Sequence, residues 1–249
     1  MPTTEIVIPG GPQPAWGADY STPFKRKPFA LYAFADGLAA GAFRPGDDIC
    51  RGASAIKVGD PVIGADGAML SKANHFLTPF TSAALLAAGG GVGITMMIIA
   101  KVAADQNFGG IGNIQGGAPG AGLTPEEIGS TILARAIDTP AIRQAYALPA
   151  TADRGNRWAM YAGIFSATQI GSLERHRGSV AVGAIENQTA ANFTRDAPIG
   201  IGAQPYEGGY PGVGRVMAAG LWSRPWTKAD FDAVYEDAVA WTDTIDAGL

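Results

Sequence analysis

Short apolar runs separated by turn residues recur along this chain, and their spacing predicts strands rather than helices. Phe29-Ala30-Leu31-Tyr32-Ala33-Phe34 reads as a strand stopped by Asp36-Gly37. Pro61-Val62-Ile63-Gly64 and Ala65-Asp66-Gly67-Ala68-Met69-Leu70 read as a hairpin about an Asp-Gly turn, and His75-Phe76-Leu77 continues the β pattern. Val92 to Val102 is β-branched and Met-rich, as expected of a buried strand, and Ile132 to Ile137 is a further apolar run. Arg157 to Phe165, the hairpin Ser172 to Val182 about Arg177-Gly178, Ile199 to Gly202 and Val213 to Trp222 complete the set.

Two segments carry helix signals. Thr124-Pro125-Glu126-Glu127 offers a cap, a first-turn proline and acids, and predicts a short helix or turn. Thr227-Lys228-Ala229-Asp230 opens a helix on which Phe231, Val234, Tyr235 and Ala238 fall at i, i+3, i+4 and i+7, so that one face packs on the sheets. Phe108 to Gly122 contains seven glycines and is expected to be a loop. Ser82 to Ala100 is nineteen residues without a charge, but Gly89-Gly90-Gly91 breaks it, so a strand after the break accounts for it better than a membrane span.

Composition sharpens this picture. Thirty-five glycines, seventeen prolines and only 16% charged residues favour many short strands joined by tight turns, and 249 residues suffice for one main all-β domain. Residues 1–28 hold six prolines and three glycines and form an extended arm ahead of a domain at 29–249. Trp16, Tyr20 and Phe24 are its candidate contacts with a neighbouring subunit. A net charge of −4, with no basic run longer than Lys25-Arg26-Lys27, argues against nucleic-acid binding. Met1 to Gly11 lacks a basic n-region and is not expected to be a signal peptide. The lone Cys50 cannot form an internal disulfide.

The strand bearing Trp158-Ala159-Met160-Tyr161-Ala162-Gly163-Ile164-Phe165, the turn His176-Arg177-Gly178, Ile199-Gly200-Ile201-Gly202, Gly214-Arg215-Val216, Leu221-Trp222 and Arg224-Pro225-Trp226-Thr227 together resemble the back half of a concanavalin A-like domain of the laminin G/pentraxin type. The resemblance implies an all-β, two-sheet antiparallel jelly-roll sandwich with an N-terminal arm and a short C-terminal helix. It carries no catalytic signature, and a fold does not fix a function.

Candidate chemistry is sparse. Glycosidases need carboxyl groups about 5 to 9 Å apart, and no such spacing occurs on one predicted strand. Glu236-Asp237 sits on the C-terminal helix, while Glu174 and Glu186 read as surface charges. His75 and His176 are the only histidines, too few for a three-histidine zinc site, and no nucleophile elbow or phosphate loop occurs. Domains of the resembled type bind sugars through rim loops and sometimes hold calcium. Here Asn107, Asn113, Tyr206 and Tyr210 have the amide and aromatic chemistry for a glycan. Asp36, Asp47 and Asp48 are the carboxylates open to calcium, although they are scattered over two turns. With its Pro-rich arm and low charge, the chain is expected to be a non-enzymatic, homo-oligomeric structural module of a phage-like virion, a head-fibre, spike, decoration or tail-fibre subunit on an extracellular particle that mediates assembly through the arm, with host-surface glycan as a further candidate partner. The alternatives are a free carbohydrate-binding lectin and a glycan-active hydrolase or lyase.

Overall fold

The computed structural model describes residues 23–35, 44–50, 53–103, 106–115, 118–126, 131–138, 141–145, 157–187, 192–206, 208–245 and 249. Among these residues, fifteen strands form two antiparallel sheets, as the sequence predicts. The first contains β1 (Ala30–Ala33), β3 (Val62–Gly64), β4 (Gly67–Leu70), β6 (Gly93–Val102), β11 (Ala159–Ser166), β12 (Gln169–Arg175), β13 (Val182–Asn187) and β15 (Gly214–Trp222). Its order is β13-β12-β11-β6-β15-β4-β3, with β1 also paired to β15. The second contains β2 (Ile56–Val58), β5 (His75–Thr81), β7 (Ile111–Gly112), β8 (Gly120–Glu126), β9 (Thr131–Asp138), β10 (Ala141–Ala145) and β14 (Pro198–Ile201), in the order β10-β9-β8-β7-β14-β5-β2. Two helices, α1 (Ser82–Ala88) and α2 (Lys228–Thr242), accompany them.

The first sheet is covered on both faces, which explains why its central strand is a continuous apolar run rather than an alternating one. On β6, Ile94, Met96, Ile98, Ala100 and Val102 enter the core between the sheets, whereas Met97 and Ile99 enter a second core beneath α2. β15 changes phase part-way. The pairing of Val216 with Ala100 is followed by that of Ala218 with Ile99, leaving Met217 as a bulge. Val216, Ala219 and Leu221 consequently face the inter-sheet core, while Met217, Ala218 and Trp222 face the helix.

Helix α2 is the clearest success of the sequence pattern. Thr227 and Asp230 form a reciprocal capping box: the Asp230 N–H donates to Thr227 Oγ1 (3.1 Å), and the Thr227 N–H donates to Asp230 Oδ2 (2.9 Å). Phe231, Val234, Tyr235 and Ala238 are all buried. The chain just before β1 is strapped across this helix. Phe24 is 1% exposed and packs edge-on against Trp222 (6.0 Å) and Trp241 (5.6 Å). The Lys25 N–H donates to Asp237 Oδ2 (2.9 Å), and Arg26 pairs with Asp230 (2.5 Å). Phe24 is therefore part of this chain's own core and not a subunit contact. Trp16 and Tyr20 lie outside the described residues.

Other expectations change. Thr124-Pro125-Glu126 is the end of strand β8 and not a helix start, because tertiary pairing overrides local propensity. Thr124 is buried opposite Leu133, and the carbonyl of Pro125 accepts from the Phe108 N–H (3.3 Å). The missing proline donor thus faces the side where β7, paired with β8 only at Ile111 and Gly112, asks for no bond. The Gly-rich stretch 108–122 likewise contains β7 and the start of β8. In the nineteen-residue uncharged stretch, the part before the glycine break is α1 and the part after it is β6. No helix among the described residues is long and apolar enough to cross a membrane.

Tyr32 exposes a cost within the core. The residue is fully buried, and its hydroxyl has no hydrogen-bond partner among the described residues. Burial, with the nearby charge of Asp48 and Cys50 acting in the same sense, pushes the phenol far above its ordinary pKa. Tyr32→Phe is expected to stabilise the protein by about 1 kcal/mol near neutral pH. The unfolded phenol ionises near pH 10 while the folded one does not, so stability falls as pH rises past that point. In urea titrations at pH 8 and pH 11, the variant should gain more over the native protein at the higher pH; equal midpoints at both would contradict this account.

Candidate functional site

The site is built on the outer face of the second sheet. β7 and β8 pair through Ile111 with Leu123 and Gly112 with Gly122. Ile111 and Leu123 enter the inter-sheet core, so the two glycines face outward. A Cβ on either would lie 2.7 Å from the Gln204 side chain, and the glycines thereby leave room for that buried amide. Its Nε2 donates to the carbonyls of Gly109 (2.7 Å) and Ile111 (3.0 Å), and its Oε1 accepts from the Ile114 N–H (3.3 Å). Gln204 thus staples the segment after β14 onto the sheet. Two residues on, Tyr206 forms a parallel β-bridge with Gln115.

A second buried network fixes Arg195 beside them. Ser82 Oγ donates to the Phe193 carbonyl (3.0 Å) and accepts from the Arg195 N–H (2.9 Å) and from Asn113 Nδ2 (3.2 Å). Asn113 Nδ2 also donates to the Ala197 carbonyl (2.9 Å), and its Oδ1 accepts from the Ala121 N–H (3.2 Å). With its backbone held, Arg195 lays its guanidinium over the Tyr206 ring, 4.5 Å from the centroid, and donates to Gln115 Oε1. Partial burial raises the Tyr206 phenol above its ordinary range against the opposing pull of Arg195, so the hydroxyl stays protonated and can donate. The result is a half-exposed ring, a guanidinium and an amide held together on one face.

Of the four glycan candidates read from the sequence, one is part of this platform. Tyr206 is half-exposed, with one ring face occupied by Arg195. Asn107 is half-buried and serves as a loop tie, donating through Nδ2 to the Gly209 carbonyl (2.9 Å). Asn113 is 0% exposed and Tyr210 3%, so neither can touch a sugar: the first is the hub of the network above, and the second is packed within the fold. Arg195, Gln115 and Gln204 were not singled out. No local pattern marks them: Gln115 meets Arg195 80 residues away in the chain and Gln204 meets Gly109 95 residues away.

The two described calcium candidates are committed to hydrogen bonds within the fold. Asp47 accepts from the Arg44 N–H (2.8 Å) and the Ser54 hydroxyl (2.6 Å). Asp48 is fully buried, and its Oδ1 accepts from the N–H groups of Leu31 (3.0 Å) and Cys50 (2.9 Å). These carboxylates order a turn against β1, and Asp36 lies outside the described residues. Glu174 is not a surface charge: it is 1% exposed and 3.7 Å from the Arg157 guanidinium. His75 is buried with Nδ1 against the Lys72 carbonyl (3.0 Å), and burial holds its pKa below the usual value despite that bond.

No protein-family model matches the chain, and no curated protein matches it in sequence. Among solved structures it is similar to a Trypanosoma rangeli sialidase in complex with 2,3-difluorosialic acid, at 13% identity and a TM-score of 0.55, over 94% of this chain and 36% of that one. It is also similar to the receptor binding domain of botulinum neurotoxin mosaic serotype C/D (12% identity, TM-score 0.57, 84% of this chain and 50% of that one). The receptor binding domain of botulinum neurotoxin D gives 12% identity and a TM-score of 0.54, over 85% of this chain and 53% of that one. The chain therefore spans between about a third and a half of the structures it resembles. At such identities the likeness is one of fold, and it defines the class: an all-β antiparallel sandwich. It also corrects the expectation of a virion subunit, since the similar structures named here are a sialidase and toxin receptor-binding domains.

Proposed function

We propose that this chain is a carbohydrate-binding sandwich of the concanavalin A-like, lectin-like type, and that it engages glycan through Gln115, Arg195 and Tyr206. The observation that carries the reading is the preorganised platform itself. Two buried polar networks converge to hold three half-exposed or exposed side chains whose chemistry suits a saccharide: an aromatic edge, an amide and a multidonor cation. One resembling structure is named as a sialidase with 2,3-difluorosialic acid, which supports a glycan reading, and another as a receptor binding domain, which supports a binding one. Binding is favoured over hydrolysis because the platform contributes no carboxyl pair among the described residues, while Glu174 is engaged by Arg157 and Glu236 by Arg175 (2.9 Å).

The test is retention on a glycan array. The native protein is expected to hold a defined set of glycans, and Tyr206→Ala should weaken that retention by about 1 kcal/mol, roughly fivefold. Circular dichroism of the variant checks that the sandwich is intact. Equal retention by the native protein and the variant would remove the platform from the account.

A further inference from the structure

We infer that the platform selects glycans bearing a carboxylate and that Arg195 is the residue that recognises the acid. This deepens the carbohydrate-binding reading and rests on it. The argument begins with the other arginines. Arg26 and Arg224 pair with Asp230, Arg157 with Glu174, Arg175 with Asp232 and Glu236, Arg177 with Asp243, and Arg215 with Asp66. Of the described arginines whose side chains are held by contacts within the chain, Arg195 alone has no carboxylate among its described partners. Its charge is fixed in place with no carboxylate paired to it among the described residues, in a protein whose net charge is −4.

The fixing is unusual for a surface cation. Its backbone N–H is taken by Ser82, which is 0% exposed, and its carbonyl accepts from the Ala83 N–H (3.3 Å). Its guanidinium is restrained by the Tyr206 ring on one side and the Gln115 amide oxygen on another. The rotamer freedom that an arginine ordinarily loses on binding is thus already lost, so less opposes capture of an anion. One guanidinium nitrogen, Nη1, is shielded and has no acceptor among the described residues. A carboxylate that reaches this nitrogen side-on would supply the missing acceptor and form the two-pronged bond that suits this group. Neutral hydroxyls can fill one prong but do not match the charge.

The groove of about 330 Å³ lined by Lys25, Arg26, Ala233, Glu236 and Asp237 offers no comparable feature. Its cations are already answered by Asp237 and Asp230.

The experiment is calorimetric titration of the full chain with three saccharides: sialyllactose, its methyl ester and a glucuronic-acid disaccharide, together with lactose as the neutral reference. The free acid is expected to bind about tenfold more tightly than the ester, the scale of one charge-assisted bond. Arg195→Gln should level acid and ester, whereas Arg195→Lys should keep part of the difference. The backbone bonds of Arg195 survive both substitutions, so unchanged melting temperatures verify that the fold is intact. Which acid binds tells a sialic from a uronic source. Equal binding of acid and ester, or retention of sulfated but not carboxylated glycans, would overturn the inference and leave the carbohydrate-binding reading standing. Failure to bind any of these saccharides, with an empty glycan array, would overturn both.

Discussion

Trp222→Ala is expected to lower the stability of the protein by about 3–5 kcal/mol, as large-to-small changes of buried aromatics do. Trp222 is 1% exposed at the end of β15, where three contacts converge. Trp226 packs against it at 4.5 Å, Phe24 meets its ring at 6.0 Å, and its indole N–H donates to the Arg26 carbonyl (2.8 Å). Truncation would open a cavity in the core beneath α2 and release the strap that crosses the helix. A domain of this kind holds about 5–15 kcal/mol in total, so the loss is a large share of it. Guanidinium denaturation should show the reduced midpoint, and hydrogen exchange should show amides of α2 opening earlier than those of β6. A loss below about 1 kcal/mol would mean that the strap and helix contribute little to the fold.

Trp222 also illustrates what could be read from the sequence. Apolar runs on β6, β11 and β15 are long enough to be visible, and the capping pair Thr227 and Asp230 announces α2. Those features depend on neighbours a few residues apart. The site depends on residues brought together from distant parts of the chain, and one-dimensional patterns carry little of that. Asn113 and Tyr210 have the right chemistry for a sugar, yet burial, which periodicity in a Gly-rich stretch does not report, gives them structural roles. The glycines were legible only as flexibility. At Gly112 and Gly122 they serve close approach instead, because the absent Cβ atoms are what admit Gln204. The segment Thr124-Pro125-Glu126 shows the converse error, a strong local helix signal overruled by pairing with β9.

Asn113→Ala is expected to cost about 2–4 kcal/mol, more than its modest change in size implies. Asn113 is 0% exposed and satisfies three groups at once: Ser82 Oγ, the Ala197 carbonyl and the Ala121 N–H. Alanine would leave the buried Ala121 N–H and the part-buried Ala197 carbonyl short of a partner, and a buried orphan costs about 1–3 kcal/mol. Asn113→Asp should be no better, because a carboxylate keeps the bond from Ala121 but turns an acceptor toward the Ala197 carbonyl in place of a donor. The same change reaches the site. Ser82 holds both Asn113 and the Arg195 N–H, so loosening the hub frees the backbone that aims the guanidinium. Glycan retention measured well below the melting temperature should therefore fall in Asn113→Ala, even though Asn113 itself touches no ligand. If stability drops while retention at low temperature is untouched, the buried network holds the sandwich together but does not position Arg195, and the preorganisation argument fails.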